Sequence, residues 1–143
     1  MSTCNWLFLS KNGQDQYINM LARSAGVEPT DSDHFDYYYD VVVDNRPVVL
    51  RGILKYKIMQ QCLQDHRTFY YMDTGYFGNG RWKTWHRITR DNLVQTTIKD
   101  VPGDRWERHG IKFSPWRTGT KIIVAAPDEK PCKFYGIDLE QWI

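Results

Sequence analysis

The sequence predicts an α/β fold with a mostly parallel sheet. Three observations carry that expectation. Short β-branched and aromatic runs alternate with two segments of helical apolar spacing, their order is strand–helix–strand–helix–strand, and no internal repeat interrupts it. The chain has 143 residues, 41% hydrophobic and 25% charged. Those proportions suit a globular chain that builds its core without disulfides or metal, and they exclude a disordered, collagen-like or coiled-coil protein.

Residues 5–10 read as a buried strand, broken by Lys11, Asn12 and Gly13. Over 14–25, Tyr17, Ile18, Leu21 and Ala25 share one helical face, and Gly26 is a natural stop. Residues 28–36 form a polar loop, and the β-branched and aromatic run 37–43 reads as a strand. Asn45, Arg46 and Pro47 turn the chain into a strand over 48–53, which would open a hairpin arm with 41–43. Ile58, Met59, Cys62 and Leu63 place a helix over 55–66. Residues 68–72 give an aromatic strand ending at Asp73. Gly75, Gly78 and Gly80 then mark a loop, and 81–90 reads as a further strand. Asp91 is placed to cap a helical turn over 92–96. Residues 121–126 read as the clearest buried strand of the second half, 127–131 as a loop, and 137–143 as a helix beginning at Asp138. The expected architecture is a single Rossmann-like domain over residues 1–143, its parallel sheet flanked by helices.

Cys4, Cys62 and Cys132 are odd in number and widely spaced, with no zinc-ligand pattern, so a reducing compartment and no metal are expected. The apolar run 6–9 is too short for a signal-peptide core. No stretch approaches the roughly 18 apolar residues of a membrane span. A soluble, cytoplasmic protein with no membrane partner is the expectation.

Charge divides along the chain. Residues 1–45 hold two basic and seven acidic residues, a net −5, and the remainder holds 17 basic and 10 acidic, a net +7. Such a split implies either pairing of the acidic head with the basic body or a basic surface for an anion. The total of +2 excludes a histone-like general nucleic-acid binder. Aromatic residues make up 15% of the chain, and they serve cores or stacking surfaces.

The densest chemical signal runs from Phe69 to Gly80. Asp73 stands at the C-terminal end of a strand, and Thr74, Gly75, Tyr76, Gly78 and Asn79 follow it. In open α/β sheets that edge receives ligands, and glycines let backbone N–H groups approach an anion. Arg81, Lys83 and Arg87 come next and would neutralise phosphate. Asp73 and His86 are the candidate general bases. The glycine spacing is that of neither the Walker A loop nor the dinucleotide fingerprint. Asp73-Thr74-Gly75 is also the tripeptide of aspartic-protease loops, but Tyr76 stands where those have Ala and the preceding pattern is helical. Arg81, Trp82, Lys83, Trp85, His86, Arg87 and Arg90 interleave cation and ring, as do Arg105, Trp106, Arg108, His109, Lys112, Trp116 and Arg117. That pairing suits single-stranded nucleic acid or sugar phosphate, or a core with solvated alternates.

Three stretches resemble phage-borne glycosyltransferase-like proteins of the two-Rossmann-domain kind. They are Val48-Val49-Leu50-Arg51-Gly52 with the segment 69–79, then Trp85-His86-Arg87-Ile88-Thr89, then 121–127 with Phe134-Tyr135-Gly136 and Trp142. The resemblance spans residues 48–143 and implies the N-terminal half of such a fold. It implies a sugar or nucleotide-type anionic ligand, a nucleotide-sugar or other phosphorylated compound, near Asp73 and Asn79. No cofactor is implied, and host cytoplasm is the implied location. A two-domain transferase needs a second half to close its cleft, so the chain is expected to be a fragment or a stand-alone half that binds without turnover. The alternative is a non-enzymatic phage protein that blocks a host protein or nucleic acid through its basic-aromatic face.

Overall fold

The computed structural model describes residues 4–32, 45–53, 56–75, 85–96, 102–103, 107–108, 110, 112 and 114–142. It has an α/β architecture: a five-stranded, mostly parallel sheet with helices packed on both faces.

Strand β1 (Leu7–Ser10) is buried at all four positions, as a strand at the middle of a covered sheet must be. A single 3-10 turn, Lys11–Gly13, leaves it with Asn12 and Gly13 both at positive φ. Helix α1 (Gln16–Ser24) follows, its start fixed by Asp15, whose carboxylate accepts from the N–H groups of Tyr17 and Ile18. Ile18 and Ala22 are its buried positions. Strand β2 (Thr30–Asp31) is only two residues and pairs parallel with β1.

Strand β3 (Val48–Arg51) pairs parallel with β1 on one edge and with β4 (Phe69–Thr74) on the other. Between β3 and β4, helix α2 (Tyr56–Gln64) buries Ile58, Met59 and Cys62, the face the spacing predicted. Strand β5 (His86–Arg90) pairs antiparallel with β4. The strand order is β2-β1-β3-β4-β5. Helix α3 (Glu129–Tyr135) and the short α4 (Leu139–Trp142) end the chain.

Alternation along the strands divides the core in two. Leu7, Leu9, Val48, Leu50, Phe69 and Tyr71 pack with Ile58, Met59, Cys62 and Phe134 of α2 and α3. Phe8, Val49 and Met72 pack with Ile18 and Ala22 of α1 on the opposite face. Among the described residues, no helix is long and apolar enough to cross a membrane, and Cys4, Cys62 and Cys132 are free thiols.

Several expectations need correction. The hairpin arm between 48–53 and 41–43 has no edge to form on, because β1 and β4 occupy both sides of β3. Residues 37–43 themselves lie outside the described residues. The polar loop 28–36 contains β2, whose ladder is supplied by β1 rather than by apolar patterning. Asp91 caps no helix; it takes positive φ and its carboxylate accepts from Phe69 N–H, so 91–94 is a bend. Residues 121–126 are exposed and form no strand, since β-propensity needs a ladder to act on. The expected loop over 127–131 instead starts α3. Asp128 caps it, and Pro131 sits in its first turn, where a missing N–H costs nothing.

Candidate functional site

All four parallel strands point their carboxyl ends to one edge, and β5 begins there. Five charged or titratable side chains gather at that edge from four places in the chain. Asp15 precedes α1, Arg51 ends β3, Asp73 lies near the end of β4, and His86 and Arg87 open β5.

The pleat sorts them into two groups. Register sets Asp73 opposite Arg87 and Thr74 opposite His86. Neighbouring residues of a strand face opposite ways, so Asp73 and Arg87 share the α2 face while Thr74 and His86 share the α1 face. On the α2 side, Tyr71 Oη donates to Asp73 Oδ2 at 2.7 Å and Thr74 N–H donates to Oδ1 at 2.7 Å. Arg87 Nη2 lies 3.6 Å from Oδ2. Burial alone would raise the Asp73 carboxyl, but the Tyr71 hydroxyl, the Thr74 N–H and the Arg87 guanidinium outweigh it and hold the group below its ordinary value. Burial and the bond to Asp73 push the Tyr71 phenol up, so it stays a donor.

On the α1 side, Asp15 is tied on every hand. Its N–H donates to Ser10 Oγ at 3.0 Å, Oδ1 accepts from Tyr17 and Ile18, and Oδ2 accepts from Arg51 Nη1 at 3.2 Å. The Arg51 guanidinium lies 4.9 Å from the Tyr17 ring centroid, and the His86 ring lies 4.1 Å from it at 46°. Arg51 Nε and His86 Nε2 are buried atoms with no hydrogen-bond partner among the described residues. Burial, then the Arg51 charge, depress the His86 imidazole against the pull of Asp15 and Asp73. The ring is therefore neutral at pH 7 and able to take a proton.

The chemistry of the two candidate bases differs accordingly. Asp73 is ionised and already accepts from Tyr71 and Thr74, which fits a group that orients others rather than one that collects a proton. His86 keeps a nitrogen uncommitted. Arg51 and Arg87 supply the positive charge. Among the described residues, no group of three or more His, Cys, Asp or Glu side chains could hold a metal ion.

Of the residues singled out from sequence, the β4–β5 pairing brings Asp73, Thr74, Gly75, His86 and Arg87 to one edge. Gly75 has a strict reason to be glycine: an added Cβ would lie 2.6 Å from the carbonyl oxygen of Trp85. Tyr76, Gly78, Asn79, Arg81 and Lys83 lie outside the described residues. Sequence reasoning missed Ser10, Asp15, Tyr17, Arg51 and Tyr71 as site residues. The signal for three of them was present: Ser10 ends a predicted strand, Arg51 lies in the second half of another, and Asp15 stands just before the apolar helical pattern.

The class these observations define is a doubly covered, mostly parallel α/β sheet with a polar cluster at its carboxyl edge. No protein-family model, curated protein or solved structure matches the chain.

Proposed function

We propose that the protein is a Rossmann-like domain that binds a small anionic ligand, a sugar phosphate or nucleotide, at the carboxyl edge of its sheet. The observation that carries this reading is the strand order. From β1 the chain crosses through α1 to β2 on one side, and from β3 through α2 to β4 on the other, so the order reverses between β1 and β3. In open α/β sheets ligands settle outside the carboxyl ends of the strands at such a reversal. Arg51 stands at that point, and Arg87 stands two strands away. A guanidinium carries five donors in a fork that matches phosphate. Arg51 Nε has no partner among the described residues, which leaves a donor for a ligand oxygen, and His86 Nε2 is left as an acceptor.

The nucleotide-sugar end of this ligand class rests on the resemblance to phage glycosyltransferase-like proteins. In that reading His86 is the group to deprotonate an acceptor hydroxyl, and Asp73 positions Arg87.

The test is calorimetry of the whole chain with inorganic phosphate, uridine diphosphate and UDP-glucose, alongside an assay for nucleotide release. Saturable heat with at least one of the three is expected, weakened by roughly tenfold or more in Arg51→Lys, which keeps the charge but loses the fork. Absence of heat with all three at low salt overturns the reading.

A further inference from the structure

Among the described residues, two parts of this chain lack strand partners in complementary ways. The first is the outer edge of β5, the last strand of the sheet. Gly75 N–H donates to Trp85 O, and Asp91 N–H donates to Phe69 O at 2.9 Å. With Asp73 opposite Arg87 and Tyr71 opposite Thr89, the odd-numbered residues of β5 spend their backbone groups on β4. The N–H and C=O groups of His86, Ile88 and Arg90 then point outward, where no described strand lies. The Ile88 side chain is 52% exposed on the α1 face of this edge.

The second is the segment Lys121-Ile122-Ile123-Val124-Ala125-Ala126. Its β-branched run has the composition of a buried strand. It instead stands open, with Ile122 94%, Ile123 87% and Val124 68% exposed. Pro127 follows and ends any ladder. Beyond it, α3 is fixed to its own fold, because Gln60 Nε2 donates to the carbonyl oxygens of Lys133 at 3.0 Å and Phe134 at 2.9 Å.

We propose that residues 121–126 add as a sixth strand to the β5 edge of a second copy of this chain. An exposed edge is a template for strand addition, and an exposed run of this kind is its natural occupant. The copy is favoured over the chain's own edge because that edge lies open while the segment remains uncovered. Each copy carries one donor and one acceptor, so reciprocal exchange satisfies both and closes with twofold symmetry. Alternation puts Ile123 on one face and Ile122 and Val124 on the other. Either placement lays an apolar side chain beside Ile88 and extends the row begun by Met72.

Sedimentation velocity of the whole chain over a wide concentration range tests this, paired with hydrogen exchange at the β5 amides. Neighbouring N–H groups of a strand face opposite edges, so Ile123→Pro and Val124→Pro are made in turn and one of the two removes a ladder donor, while Ile88→Lys alters the acceptor edge. Ile123 and Val124 are exposed, so the helical circular dichroism of each proline variant should match the parent's. The parent is expected to form a dimer with slow exchange at Ile88 and Arg90. At least one of the two proline variants is expected to be monomeric, with those amides exchanging at least tenfold faster. A monomeric parent at every concentration overturns the proposal. So does a dimer that survives both proline variants, a protected β5 edge in a monomer, or open-ended assembly in place of a dimer.

Discussion

His86 and Asp73 make the molecule acid-sensitive in two separate ranges. The folded imidazole sits below its ordinary value near 6.5, held there by burial and Arg51 and opposed by Asp15 and Asp73. The unfolded chain then binds a proton that the folded chain refuses. Stability from this source is full above about pH 6.5, declines as pH falls below it, and levels off once the folded ring protonates. Asp73 is depressed as a carboxyl, so its contribution is present above the ordinary carboxylate value of 3.8 and is lost as pH falls through the lower folded value. Urea midpoints measured against pH should show both limbs. His86→Gln is expected to flatten the upper limb alone, and Asp73→Asn the lower. Asp15 combines two roles that substitution can separate. Asp15→Asn keeps the helix cap and drops the charge facing Arg51, whereas Asp15→Ala loses both. The difference should be about 1 kcal/mol, the ordinary worth of a cap, on top of ~1.5–3 kcal/mol for the charged hydrogen bond. Denaturant titration of the two variants measures each part.

At the scale of elements, identical glycine substitutions should fail for different reasons. Gly136 ends α3 at φ 67° with nothing near an added Cβ, so Gly136→Ala costs only backbone strain, about 1–2 kcal/mol. Gly75→Ala drives a methyl group into the Trp85 carbonyl, and overpacking of that kind costs ~1–3 kcal/mol. It should also part β4 from β5 at the end that carries His86 and Arg87. Thermal melts compare the losses. Chemical-shift changes at His86 should mark Gly75→Ala and be absent from Gly136→Ala. Elements with an apolar period were legible from sequence: α1, α2, β1 and β3 lie within the ranges their patterns set, and β4 runs on to Thr74, past the expected end at Asp73. Elements defined by a partner were not. β2 is polar and exists through its ladder with β1, and residues 121–126 have strand composition but no described ladder. Helix α3 carried readable signals in Asp128 and Gly136, and Pro131 concealed them by resembling a breaker.

Across the whole molecule, the sheet draws Phe69 and Met59, both fully buried, into one core beneath β3 and β4. Met59→Ala should cost ~2–5 kcal/mol by transfer and cavity terms together, read as a lower denaturant midpoint with unchanged slope. The parallel character of the sheet was legible from the alternation of strand and helix. The antiparallel return of β5 was not, because nothing local in 85–90 encodes its direction. The same limit hid half the site. Asp73, His86 and Arg87 lie close in sequence and could be grouped by inspection. Arg51 and Asp15 join them only through strand order, a property no single segment carries.

β1, between β2 and β3, is made before the other four described strands. Its Leu-Phe-Leu run has no neighbour on its β3 side until residue 51 has been made. A nascent chain therefore carries Leu7 and Leu9 uncovered on the α2 side until that helix has been made. Such long-range closure slows folding and leaves time for capture. During that interval β1 is a ready binding site for a general chaperone. A polar substitution at Phe8 would lower the yield of folded protein both by weakening the finished core and by altering that early traffic.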